Sequence, residues 1–202
     1  MPLPETDDQL LRLMRSRDER AFLELYRKHQ GPVYRFALNM TASVSVAEDV
    51  TQEVFLALIR EDCGYDPARG SLAAYLFGIA RKLVLRHVER SRIMAEQEFT
   101  GEEWSVRQAP ESPDPMTELL RAEGIDVLRR AIVSLPKRYR EVVALCDLEE
   151  LDYTQAAAML GCPIGTVRSR LHRARALLLE KLQQKRDPKP GVPGWRPARS
   201  LV

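Results

Sequence analysis

The sequence predicts an all-α chain: two small helical domains joined by a flexible acidic linker. Three observations predict it. Apolar residues recur at three- and four-residue spacing, and no stretch alternates as a half-buried strand would. Asp18, Ser45, Ser71, Pro136 and Gly161 stand where such helices need ends. Residues 95–115 are acidic, hold three prolines and show no period. With 202 residues, 45% of them hydrophobic, the chain is long enough to bury an interior on each side of that stretch.

Residues 7–94 read as helices. Asp18 is placed to cap a helix over 18–41, in which Phe22, Leu25, Tyr26, Val33, Phe36, Ala37 and Met40 share a face. Gly31-Pro32 should kink or briefly interrupt it. Ser45, with Glu48 three residues on, has the pattern of a capping box for a helix to about Arg60. GYDPARG at 64–70 is a loop, and Ser71 can cap a long helix through about Ile93. A second helical block begins near Met116. Leu135-Pro136 divides it, short helices follow over 136–147 and 154–160, and Gly161 ends the second of them. Thr166, or a residue just before it, starts the last helix, to about Gln184. The expected domains are therefore 1–94 and 116–186, with a linker at 95–115 and a proline-rich, disordered tail at 187–202.

Net charge is only +2, but it is unevenly spread. Residues 96–124 carry 2 basic against 8 acidic side chains, whereas 125–186 carry 12 against 7. A basic block behind an acidic spacer suits a polyanion partner. Cys63, Cys146 and Cys162 lack the spacing of a zinc site or a disulfide framework, so no metal or cofactor is expected. His29, His87 and His172 are scattered; no phosphate loop or nucleophile elbow occurs, and no catalytic residue is expected. MPLPETDDQLL does not resemble a signal peptide, and no apolar run is long enough to insert in a membrane. A reducing cytoplasm is the expected compartment.

Three segments carry function. In TQAAAMLGCPIGTVRSRLHRARALLLEKL, an alanine-rich helix, a glycine turn and a longer basic helix follow helix-turn-helix order. On a helical wheel Val167, Leu171, Ala174, Leu178 and Leu182 form a buried stripe. Ser169, His172, Arg173 and Ala176 lie opposite, flanked by Arg168, Arg170 and Arg175. That face is acid-free until Glu180, as base edges and phosphates require. In AEDVTQEVFLALIR, Ala47, Val50, Val54, Ala57 and Leu58 face an interior, while Asp49, Gln52, Phe55, Leu56 and Ile59 face away. That second face reads equally as a docking surface or as a helix buried on both sides. In the helix after Ser71, Arg81, Lys82, Arg86, His87, Arg90 and Arg92 accompany Tyr75 and Phe77. This suits a single nucleic-acid strand, or equally a solvated amphipathic helix.

Together and in this order, the three segments resemble an extracytoplasmic-function (ECF) sigma factor of bacterial RNA polymerase. AEDVTQEVFLALIR looks like the part of sigma domain two that docks on core polymerase. GSLAAYLFGIARKLVLRHVER looks like its promoter-melting, minus-ten-reading helix. SLPKRYREVVALCDLEELDYTQAAAMLGCPIGTVRSRLHRARALL looks like sigma domain four, which reads the minus-thirty-five element. The resemblance covers about residues 7–94 and 116–183, and it departs at Tyr75 and Lys82, where the family usually has Trp and Asn.

The resemblance implies a binding protein, not an enzyme. It implies core-polymerase contact through Asp49, Gln52, Glu53, Phe55 and Leu56. It implies minus-ten DNA contact through Tyr75, Arg81, Lys82, Arg86 and Arg90, with a base extruded near loop 64–70. Minus-thirty-five contact would come from Thr166, Arg168, Ser169, His172 and Arg173. Its implied partners are core RNA polymerase, promoter DNA and an anti-sigma factor. A free-standing helix-turn-helix regulator would explain 136–183 but leave the face of Asp49, Gln52 and Leu56 idle.

Overall fold

The computed structural model of the protein describes residues 6–60, 63–97 and 115–186, with the side chains of 6–60, 63–90 and 124–183. Eight α-helices and no strand occur among them: α1 Asp7–Arg15, α2 Glu19–Thr41, α3 Val44–Ile59, α4 Leu72–Gln97, α5 Pro115–Val133, α6 Lys137–Val143, α7 Tyr153–Leu160 and α8 Ile164–Arg186. Most of the linker at 95–115, and the whole tail at 187–202, lie outside the described residues.

Local chemistry explains most of the helix ends. The Asp18 carboxylate accepts from the Arg20 and Ala21 amides at 2.8 and 3.3 Å, satisfying two orphan donors of α2. Gly31-Pro32 does not interrupt that helix. Proline removes one backbone bond there, but Val33, Phe36, Ala37 and Met40 behind it are deeply buried, and that packing outweighs the loss. Ser43, not Ser45, caps α3, accepting from the Val46 amide at 3.4 Å. Ala42 closes α2 in the left-handed region at φ 60°, so the next helix begins at once, one turn-step before the capping-box pattern suggests. Ser71 caps α4 by accepting from the Ala74 amide at 3.2 Å.

Two apolar interiors result. The first joins α2, α3 and α4 through Leu25, Phe36, Val50, Val54, Leu58, Leu76 and Val84. Phe77 belongs to it, edge-on to Phe36 with ring centres 5.6 Å apart. Phe77 is therefore an interior residue and cannot stack on a nucleic-acid base. The second joins α5 to α8 through Ile132, Leu135, Val142, Val143, Ala156, Val167, Leu171 and Ala174.

The sequence reading missed the segment between α6 and α7. Ala144–Leu148 wind as a π-turn, wider than the α-helix before it. The extra residue per turn rotates the apolar stripe. Val142 and Val143 stay in their own domain's interior, whereas Ala144, Leu145 and Leu151 enter that of the first domain. The two domains are packed together through this segment.

Helix α1 is tied down by charge. Asp7 accepts from Lys28 Nζ at 2.6 Å and from buried His29 Nε2 at 3.1 Å. The His29 hydrogen bond leads in holding the Asp7 carboxyl at about 2, against desolvation, which raises it. A carboxyl depressed on folding stabilises above its unfolded value, near 4, and stops doing so as pH falls through 2. Asp7→Asn should therefore cost about 1 kcal/mol at pH 7, the full linkage value being discounted for solvent screening. Urea midpoints of the two proteins should converge between pH 4 and 2; an unchanged gap at pH 2 would refute this origin.

Candidate nucleic-acid interface

The helix-turn-helix is built from the turn outward. Asp152 caps α7 by accepting from the Thr154 and Gln155 amides, both at 2.8 Å. Gly161 takes φ 62°, which a side chain rarely adopts, and the Cys162 amide closes on the Ala157 carbonyl at 3.1 Å. Val167, Leu171 and Ala174 anchor α8 on the buried Ala156 and Ala157. This leaves Arg168, Ser169, His172 and Arg173 exposed on one face, with Thr166 half-buried at its edge. Arg168 lies over the Tyr153 ring at 6.0 Å. The Arg173 guanidinium, acting on Tyr139, pulls its phenol below the usual range. Arg175 is different: it grips Asp147 in a two-pronged pair at 2.5 and 3.1 Å, turned back toward the π-turn. The wheel had set it among the phosphate contacts.

The basic residues of α4 divide between two faces. Lys82, Arg86 and Arg90 recur every fourth residue and are exposed. Arg86 donates to Glu53 at 2.9 Å, linking a residue expected to read DNA with one expected to meet polymerase. Both side chains are about half exposed, so the pair is weak and readily exchanged. Arg81 points elsewhere and donates to Glu141 of α6 at 3.0 Å. Tyr75 is half-buried and tilts against Tyr65, ring centres 5.5 Å apart. Tyr65 donates to Asp8 at 2.9 Å, and burial, then that bond, push its phenol up to about 12. A cavity of about 240 Å³ opens beside it, lined by Asp7, Asp8, Tyr65, Pro67, Gly70, Ser71 and Leu72. Its carboxylates repel phosphate but can accept from a base amino group.

On α3, Asp49, Gln52 and Glu53 are exposed, with Leu56 at 59% and Ile59 at 51%. Phe55 is not part of that surface. It is 3% exposed and meets Tyr26 edge-on at 4.7 Å. The wheel places Phe55 beside Leu56, but α2 comes close enough to cover it.

Two families match in the order of the two domains: Sigma-70 region 2 over residues 25–93, and Sigma-70, region 4 over 125–178. The RNA polymerase sigma-H factor of Pseudomonas aeruginosa is 31% identical over 89% of this chain and 95% of its own length. The chain belongs to the ECF sigma factors of RNA polymerase. As an ECF sigma factor it binds core polymerase and directs it to promoters, without enzymatic activity. The ECF sigma factor SigE of Mycolicibacterium smegmatis is 38% identical over 79% of this chain and spans further, the match covering 60% of its length. Among solved structures, CnrH in complex with the cytosolic domain of CnrY is 26% identical with a TM-score of 0.63, covering 89% of this sigma factor and 98% of CnrH. The cations Arg35 and Arg140 and the carboxylates Glu141 and Glu149 of this sigma factor escaped the sequence reading. Each makes at least one contact across the chain, and no local period marks it.

Proposed function

We propose that residues 1–94 form the polymerase-docking and minus-ten domain and that 116–186 form the minus-thirty-five domain. Asp49, Gln52, Glu53 and Leu56, with Ile59, meet core polymerase, and Phe55 supports them from beneath. Lys82, Arg86, Arg90 and Arg81 follow the opened minus-ten strand. Tyr75 backs Tyr65, which lines the cavity beside loop 64–70, and that cavity receives an extruded base at a cost of a few kcal/mol in lost stacking. Thr166, Arg168, Ser169, His172 and Arg173 read the upstream element from the major groove. The observation that carries this reading is the acid-free, exposed face of α8 standing directly over a buried stripe. The protein acts in the cytoplasm, where its polymerase is; none of the described helices is long and apolar enough to cross a membrane. An anti-sigma factor is its proposed regulator, as CnrY is the partner in the similar CnrH complex.

Docking is the cheapest part to test. Leu56→Ser combined with Asp49→Ala and Gln52→Ala removes only exposed atoms. The triple variant should keep its helical circular dichroism and melting temperature while losing at least about tenfold in affinity for core polymerase. Wild-type affinity in a pull-down would remove α3 from the polymerase interface.

A further inference from the structure

Buried carboxylates are rare unless a cation meets them. Among its described residues the C-terminal domain has two. Glu141 is 5% exposed, and the Glu149 side chain 2%. Their cations come from the other domain. Arg81 of α4 donates to Glu141 at 3.0 Å, and Arg35 of α2 donates twice to Glu149, at 3.2 and 3.0 Å. Gln155 at the start of α7 donates to Ser71 Oγ at 3.0 Å. Between these polar ties, Leu145 and Leu151 sink into the first domain's interior. Arg81 is thus largely covered by the chain's own residues, at 24% exposure, while Arg35 keeps 57% of its side chain in solvent with its guanidinium spent on Glu149.

A docked pair of small domains cannot engage both promoter elements. The elements lie roughly 25 base pairs apart, or about 85 Å at 3.4 Å per step. Two domains of this size in contact have centres only about 25–30 Å apart. The 17 residues between α4 and α5 can reach at most about 60 Å, which with the domains' own extent allows separation.

We propose that Glu141 and Glu149 stand in for DNA phosphate, holding Arg81 and Arg35 so that the two domains latch shut, and that both arginines turn to the DNA backbone when the latch opens. The proposal rests on the reading of α4 as the strand-binding helix, and it adds Arg35 to the DNA-facing cations. The carboxylates are buried but their arginines still reach solvent, so each pair repays little more than the carboxylate's desolvation and is open to exchange, and a competing polyanion or polymerase can open the latch.

The test uses the full chain without polymerase. Glu141→Gln with Glu149→Gln keeps shape and removes both charges. In small-angle X-ray scattering this variant should be more extended than the wild type. It should also bind a fluorescein-labelled, random-sequence single strand about tenfold or more tightly, because the competent form no longer competes with the shut one. An unchanged size, or expansion without a gain in affinity, overturns the latch. A second arm guards against misfolding. In the same variant, with Cys146 and Cys162 changed to Ser, Ser71→Cys and Gln155→Cys are bridged by a short bis-maleimide. Bridging should return affinity to the wild-type level; a gain that survives it overturns the proposal. Adding Arg81→Ala to the opened variant should abolish most of the gain. If it does not, while Lys82→Ala and Arg90→Ala do, the exchange of partners by Arg81 is refuted and α4 still binds the strand. If none of the three has an effect, the reading of α4 itself is refuted.

Discussion

Arg173→Ala should lower initiation at the cognate upstream element by about 5- to 150-fold, the equivalent of 1–3 kcal/mol for one lost base contact. The residue sits on the exposed face of α8, one position past His172 and opposite the buried stripe. The loss should be sequence-selective: transcription from a promoter library randomised at the upstream element should show flattened preference at one or two positions. Arg175→Ala supplies the contrast. The wheel puts this residue near phosphates and predicts a salt slope lower by roughly one unit. The structure ties it to Asp147 instead, so both the salt slope and the selected sequence should stay unchanged. If Arg175→Ala alters the selected element and Arg173→Ala leaves it alone, α8 is rotated in the groove and the assignment of its reading face fails.

The second large effect concerns stability. Arg140 has no carboxylate partner among its hydrogen bonds. Its guanidinium donates to the Met40 carbonyl at 2.8 Å, to the Leu135 carbonyl at 3.1 Å and to the Val133 carbonyl. These contacts close the end of α5, where carbonyls lack helical partners and a cation is favoured. They also tie that end to the last turns of α2. Burial pulls the Arg140 guanidinium down, yet an arginine stays charged at neutral pH. Arg140→Ala leaves three carbonyls without their donor and opens a hole along the stem. A loss of about 2–4 kcal/mol is expected. For a domain of this size that moves the melting temperature down by roughly 10–20 °C. Arg140→Met keeps the stem and should lose less. Calorimetry on both variants decides it: a shift under a few degrees for Arg140→Ala would mean that water satisfies those carbonyls and that the arginine is dispensable.

The sequence by itself determined most elements whose cause is local, although it set the α3 cap at Ser45 where Ser43 supplies it. Asp18, Ser71 and Gly161 mark ends because a side-chain acceptor or a positive φ is needed at that residue. Val167, Leu171 and Ala174 mark the buried side of α8 because their spacing repeats with the helix, and the basic reading face follows as its opposite. What it misjudged were residues whose surroundings come from elsewhere in the chain. Phe55 and Leu56 are both apolar and adjacent, and only the approach of Tyr26 buries one and leaves the other in water. Pro32 breaks a helix on its own, and only the packing of Val33 and Phe36 carries α2 through it. Arg81 and Lys82 are neighbours in one basic run. The π-turn at Ala144–Leu148 brings Glu141 and Leu145 against the first domain, and so separates a cation paired inside the molecule from one open to solvent. Helix period and capping depend on residues three or four apart and can be read from the chain. Glu149 for Arg35, Glu141 for Arg81 and the Met40 carbonyl for Arg140 lie from 60 to 114 residues away, and only folding brings them within hydrogen-bond distance.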